Sequence, residues 1–173
     1  MHYTSWDRGD RDRPRLLAED GPLELAVFDT AAEKAAVAGE TWELSYSKDL
    51  GATATLADGR VYRAAGKFPR DKQLKVSLNG HSFTLVNENK NDWIIDDNHD
   101  NKIAQFTGSH HGVRKAILEF EGEAEDHGLD SDDVVALSWF ARLALESRMD
   151  QTANALIVTL IILSIAGVLA FII

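Results

Sequence analysis

Residues Val134 to Leu145 read VVALSWFARLAL, a run interrupted only by Ser138 and Arg142. Wound into a helix, it carries apolar side chains on nearly every face, and such a helix has to be enclosed by protein or by lipid. Ser138, Arg142 and Glu146 line up as one narrow polar stripe. An amphipathic helix lying on a membrane is therefore the structural alternative to an enclosed one. Farther along, Ala155 to Ile173 (ALIVTLIILSIAGVLAFII) holds no charge, and only Thr159 and Ser164 are polar. At helical rise it would extend roughly 28 Å, close to the roughly 30 Å hydrocarbon core of a bilayer. It reads as one transmembrane helix. Neither Gly nor Pro falls between Asp132 and Ala166, so the hydrophobic helix is predicted to run unbroken through the polar joint into this span.

Upstream of the helix the apolar period changes to that of strands. Leu23, Leu25 and Val27 alternate with Glu24 and Ala26, and Trp42, Leu44 and Tyr46 repeat the pattern. Between them Thr30-Ala-Ala-Glu33 matches a capping box, followed by alanines and Gly39, and predicts a short helix. Asp58-Gly59 turns a first hairpin between ATATLA and RVYRAA. Asn79-Gly80, the pair suited to a two-residue type I′ turn, makes a second. Its register puts Leu78 opposite His81, Val76 opposite Phe83 and Leu74 opposite Leu85, with Lys75, Ser77, Ser82 and Thr84 on the other face. Strands at Trp93 to Ile95, Ile103 to Phe106 and Val113 to Phe120 complete the series. The fold class is mainly β: an antiparallel barrel or sandwich of about nine short strands, with a C-terminal hydrophobic helix leading into one transmembrane helix.

Residues 1–20 hold Arg8, Arg11, Arg13 and Arg15 among five acids, with few apolar residues, and read as a disordered polar arm. The arginines either touch lipid headgroups or a partner, or are simply solvated. The expected organisation is this arm, a β-rich domain over 21–149 including its hydrophobic helix at 132–149, a polar joint at 150–154, and a transmembrane anchor at 155–173. The stretch Glu121 to Asp133 carries seven acids and no Lys or Arg. It reads as a solvated loop whose end starts the helix, with Asp130 or Ser131 as N-cap and acids against the positive end of the dipole.

A net charge of -10 in 173 residues argues against a general nucleic-acid binder. Without cysteine there is no disulfide framework, thiolate metal site or cysteine nucleophile. The first twenty residues lack the apolar core of a secretory signal. Arg142 and Arg148 precede the hydrophobic C-terminus, which places the domain in the cytoplasm by the positive-inside bias. The expectation is a tail-anchored, single-pass protein of the cell membrane.

Against the acidic background, Arg60, Arg63, Lys67, Arg70, Lys72 and Lys75 put six cations into sixteen residues, opposed only by Asp71. They are the candidate contact for anionic lipid or a partner, the alternative being a solvated hairpin face protected from edge pairing. Asp96-x-Asn98-x-Asp100 has the ligand spacing that begins a calcium loop, but Asn101 and Thr107 stand where that loop needs Gly and Glu, so it also reads as a polar turn. His110 and His111 are adjacent and would face opposite sides of a strand. Gly108-Ser109-His110-His111-Gly112 is not a nucleophile elbow, and no catalytic constellation, cofactor motif, metal site or small-molecule substrate is identified.

The run of short antiparallel strands, the D-x-x-x-x-x-x-I-A-Q-F hairpin from Asp96 to Phe106, the acidic loop and the apolar helix from Asp132 to Leu145 together resemble the tubby C-terminal-like barrels. That group includes the LURP-one-related and phospholipid scramblase-like domains. The resemblance covers residues 23–149 and carries no functional residue over by motif; nine strands are read here against the family's twelve. It implies a closed barrel around a hydrophobic C-terminal helix, and an association with membrane lipids. The function expected is that of a non-enzymatic accessory protein whose β-domain docks on or scaffolds a membrane protein complex, with the lipid bilayer and a membrane protein as partners. The alternative is a lipid-binding or scramblase-like barrel acting on anionic lipids.

Overall fold

The computed structural model describes residues 1–7, 9–10, 12–89, 91–108 and 116–172; in its last helix the side chains of residues 151, 154, 155 and 165–172 are outside the description. Its strands are β1 Tyr3–Asp7, β2 Arg15–Ala18, β3 Glu24–Asp29, β4 Lys34–Val37, β5 Glu40–Ser47 and β6 Gly51–Thr55. They continue as β7 Val61–Ala65, β8 Gln73–Leu78, β9 His81–Asn87, β10 Asp92–Asp96, β11 Lys102–Thr107 and β12 Ile117–Phe120. Each pairs antiparallel with its neighbour in sequence, and β1 pairs with β12 through Tyr3–Glu119 and Ser5–Ile117, closing the barrel. Closure gives every described strand a paired neighbour on both sides.

Twelve described strands replace the nine expected, and the alternative of a sandwich is replaced by a barrel. The three additional strands are β1, β2 and β4. β1 and β2 lie in residues 1–20, so that segment is barrel wall and the domain begins at Tyr3, not at residue 21. They were hidden because each turns few apolar groups inward, Trp6 from β1 and Leu16 from β2, while the outer face is charged: Arg15 bridges Asp7 at 2.6 Å and Glu24 at 3.4 Å. β4 occupies the predicted helix at Thr30 to Gly39. Ala35 and Val37 face inward and pair across to β3 and β5, so wall hydrogen bonds override the alanines' helical preference.

The Asn79-Gly80 hairpin has the register read from the sequence, Leu78–His81, Val76–Phe83 and Leu74–Leu85, with both turn residues at positive φ. At the tight crossing of β6 and β7, Gly51 sits at φ +117°, where any Cβ would run into the Ala64 carbonyl oxygen.

Side chains alternate in and out along the wall. A twelve-strand barrel is too wide for its own inward side chains to fill. The remaining space is taken by α1, a helix from Ser131 to Ile172. From Asp133 to Arg142 every residue is buried, as are Ala144, Leu145 and Ser147. Its contacts reach around the wall: Ser138 to Thr4 on β1, Trp139 to Phe28 on β3, and Arg148 to Trp93 on β10. Inward alanines on β3, β4, β6 and β7 (Ala26, Ala35, Ala52, Ala54, Ala64) leave room for it. Fully burying Leu137, Phe140 and Leu145 contributes about 1.5–3 kcal/mol each.

The polar stripe of the helix is used inside the barrel, which corrects the alternative of a helix lying on a membrane. Ser138 Oγ donates to the Val134 carbonyl at 2.7 Å and meets Thr4 Oγ1 at 2.9 Å. Arg142 donates twice to Glu146 Oε1, at 3.0 and 2.7 Å, with its guanidinium 4.5 Å from the Trp6 ring centre.

A second correction concerns the C-terminus. Among the described residues no helix is long and apolar enough to cross a membrane, so the expected transmembrane helix at 155–173 is not found. The apolar run whose side chains are described, Leu156 to Ser164, rises roughly 13 Å in helical form, less than half of a hydrocarbon core. The polar joint at 150–154 does not interrupt the helical backbone. Val113 and the His110-His111 pair lie outside the described residues.

Candidate functional site

The two mouths of the barrel differ in charge. One is where β1 begins and β12 ends, joined by the hydrogen bond from Phe120 N to His2 O. Ten residues after β12 the helix starts at this same mouth, so the acidic segment Glu121 to Asp133 is confined to it. A short 3-10 turn, Ala124–His127, organises the segment, and the terminal ammonium of Met1 bonds Glu125 at 2.7 Å and Glu123 at 3.4 Å. Asp130 and Asp133 cap the helix reciprocally: Asp133 N donates to Asp130 Oδ1 at 2.8 Å and Asp130 N to Asp133 Oδ2 at 3.2 Å. Asp133 is buried, and burial pushes its carboxyl above the usual range.

Arg60, the first of the six candidate cations, is committed to this acidic mouth. It bridges Asp58 and Asp132 at 2.6 Å each and lies 3.7 Å from Asp130, with its guanidinium 5.7 Å from the Tyr62 ring centre. Its pairing, Asp58 first and then Asp132, holds its pKa above the ordinary value. The Asp96–Asn101 turn is at the same mouth. There the Asp97 carboxylate accepts from His99 N and Asn101 N at 2.7 and 2.9 Å, so its oxygens build the turn. Burial and the neighbouring Asp100 and Asp97 raise the Asp96 carboxyl. Among the described residues no group of three or more His, Asp or Glu could hold a metal ion.

The helix leaves through the opposite mouth, between the β5–β6 turn and the loop from Gly66 to Lys72. Lys48 Nζ bridges Asp150 at 3.2 Å, and the Arg148 guanidinium donates to the Asp71 carbonyl while lying 5.5 Å from the Trp93 ring centre. Burial depresses the Arg148 pKa, and burial pushes the nearby Tyr46 hydroxyl up to about 12. Phe68, fully buried, plugs the loop into the barrel, and its N–H donates to the Lys48 carbonyl. Lys67, Arg70 and Lys72 are thereby held exposed on this rim.

The six candidate cations do not form one patch. Three stand on the exit rim, Arg60 is at the acidic mouth, and Arg63 and Lys75 lie on the outer wall, where Lys75 donates to Thr84 Oγ1 at 2.9 Å. Lys48 and Arg148 join the three on the exit rim, so that five cations, with Asp49, Asp71 and Asp150 among them, stand around the point where the helix leaves; Asp29, Glu33 and Glu146 stand at the same mouth, beside β3 and β4. Leu50, 82 % exposed, points outward beside them. Beyond the rim Leu156 to Leu163 emerge with their large apolar side chains 54–63 % exposed on every face of the helix. Sequence reasoning missed Lys48, Leu50 and Arg148 as members of one surface. Lys48 and Arg148 are a hundred residues apart, and only closure of the barrel around the helix brings them together.

No protein-family model, no curated protein and no solved structure matches the chain.

Proposed function

We propose that the protein works at a membrane as a non-enzymatic accessory, its barrel held with the exit mouth toward an anionic bilayer surface and its acidic mouth turned outward to a protein partner. The observation that carries this reading is the juxtaposition at the exit mouth: an all-round apolar stretch, Leu156 to Leu163, leaves the barrel beside Lys48, Lys67, Arg70, Lys72 and the exposed Leu50. Water is a poor environment for that stretch, whereas the acyl boundary of a bilayer takes it up. Each cation brought against anionic headgroups contributes about 1 kcal/mol. The sequence resemblance to the tubby-like barrels supports membrane association. A lumen already filled by α1 weighs against moving lipid through the barrel.

The test is sedimentation of the full chain with vesicles of phosphatidylcholine alone or mixed with phosphatidylserine. The reading expects binding to both, tighter on the anionic vesicles, with the difference between them abolished by high salt. A chain left in the supernatant at low salt overturns it.

A further inference from the structure

Beside the helix at the exit mouth the wall has a window. β4 starts only at Lys34, opposite Asp29 on β3 and Glu43 on β5, whereas β5 runs on to Ser47 with β6 as partner. Past that point Leu44, Ser45 and Tyr46 have no strand on their β4 side, and one hydrogen bond, Leu44 N to Glu33 O at 2.8 Å, bridges the gap. Through the window the helix shows Trp139, Arg142, Leu143 and Glu146, of which Leu143 and Glu146 are only partly buried. The result is a cleft of about 220 Å³.

Its lining selects a ligand chemistry. Phe28 and Trp139, stacked with ring centres 6.3 Å apart, form an aromatic floor, and Tyr46 adds a third ring. Three carboxylates stand around it, Asp29 (which also accepts from Ala32 N at 2.9 Å), Glu33 and Glu146, and among the described lining residues the one guanidinium is that of Arg142. That guanidinium already meets Glu146 at 2.7 Å and covers the Trp6 ring. The cleft therefore keeps an excess of negative charge over aromatic faces, the arrangement that favours an organic cation.

We propose that this window is a binding site for an organic ammonium group on a short apolar stem, with the ammonium toward Asp29 and Glu33 and the stem against Phe28, Trp139 and Leu143. The chemistry is shared by a free quaternary amine and by the choline headgroup of a zwitterionic lipid. The site is independent of the membrane reading, because a soluble ligand reaches it in either case.

The experiment is a two-dimensional NMR titration of the full chain in a neutral maltoside detergent, following the Trp139 indole and the Leu143 methyls. Choline is compared with its uncharged carbon isostere, 3,3-dimethylbutanol, and then with dodecylphosphocholine. Saturable shifts with choline, and at least fivefold weaker binding of the isostere, support the site. Glu33→Gln, a change at an exposed turn, should weaken choline roughly three- to tenfold without altering the isostere. A tighter fit to dodecylphosphocholine than to choline identifies a lipid headgroup as the source; the reverse identifies a free amine. Equal binding of choline and the isostere, or no saturable shift at tens of millimolar choline, overturns the proposal. Loss of vesicle binding with choline binding intact would count against the membrane reading alone.

Discussion

The two halves of α1 have similar composition and opposite surroundings. Val134 to Leu145 is mostly apolar and buried except for the partly exposed Leu143, while Leu156 to Leu163 is mostly apolar and exposed on every face, on one unbroken helix. Hydrophobicity alone does not distinguish them. The distinction comes from the wall: the β-strands supply enclosing surface as far as the exit rim and none beyond it. A buried residue in the first half is coupled to the barrel's stability, whereas one in the second half is coupled to whatever covers it outside.

The largest effect that would break this contrast is in the enclosed half. Phe140→Ala should destabilise the barrel by about 3–5 kcal/mol, through lost burial and the cavity left between helix and wall. Urea unfolding of the full chain in detergent checks it. A loss below about 1 kcal/mol would mean that α1 does not fill the lumen.

Next comes the acidic mouth, where the enclosed half begins. Arg60→Ala removes the pairing to Asp58 and Asp132, and with solvent screening of these partly exposed groups should cost about 1 kcal/mol. Thermal unfolding at low and high salt measures it, and the cost should shrink as salt rises.

A pH effect sharpens the same point. Burial raises the Asp133 pKa in the folded state, so between the ordinary carboxylate value and the raised one the folded chain binds more protons than the unfolded chain. Its contribution therefore favours folding at low pH and is lost as pH rises through that interval. Asp133→Asn should remove this slope, so that the stability difference between variant and parent changes across weakly acidic pH and is flat at neutrality. An unchanged difference across the interval would show that the fold does not raise the Asp133 pKa.

The smallest effect on stability is expected outside the wall. Ile161, 54 % exposed, should tolerate Ala within about 0.5 kcal/mol in the same unfolding measurement. Replacing Leu160, Ile161 and Leu163 together by Gln should leave unfolding unchanged and weaken vesicle sedimentation. A loss of barrel stability in that triple variant would place the outer half in contact with the wall and remove the contrast.

Local signals made much of the barrel legible. The Asn79-Gly80 turn prescribes its own register because two residues at positive φ define which neighbours meet, and that register is the one found. β1 and β2 were not legible, since each turns only one large apolar side chain inward, and the partner that closes β1 into the wall, β12, lies more than a hundred residues away. β4 read as a helix because alanine satisfies either structure until β3 and β5 are in place to bond it. The basic run from Arg60 to Lys75 was visible as composition but not as a surface. Its strands and turns distribute it to two mouths and an outer wall, and the exit rim recruits Lys48 and Arg148 from elsewhere. The window lined by Phe28, Tyr46 and Trp139 had no sequence signal, because it arises from β4 being shorter than β5.

By itself the sequence determined that Val134 to Leu145 needs an enclosure, that the chain before it is strand-rich, and that the helix meets no breaker. These follow from side-chain period, turn chemistry and backbone propensity, all properties of near neighbours. Only the tertiary structure decided that the enclosure is a closed barrel of twelve described strands, that the acidic segment is gathered at one mouth and Lys48, Lys67, Arg70, Lys72 and Arg148 at the other, and which part of one continuous apolar helix lies inside. The reason is physical: burial and electrostatic pairing depend on which surfaces meet, and the surfaces that meet here, β1 against β12 and β1 against a helix more than a hundred residues away, are remote in the chain.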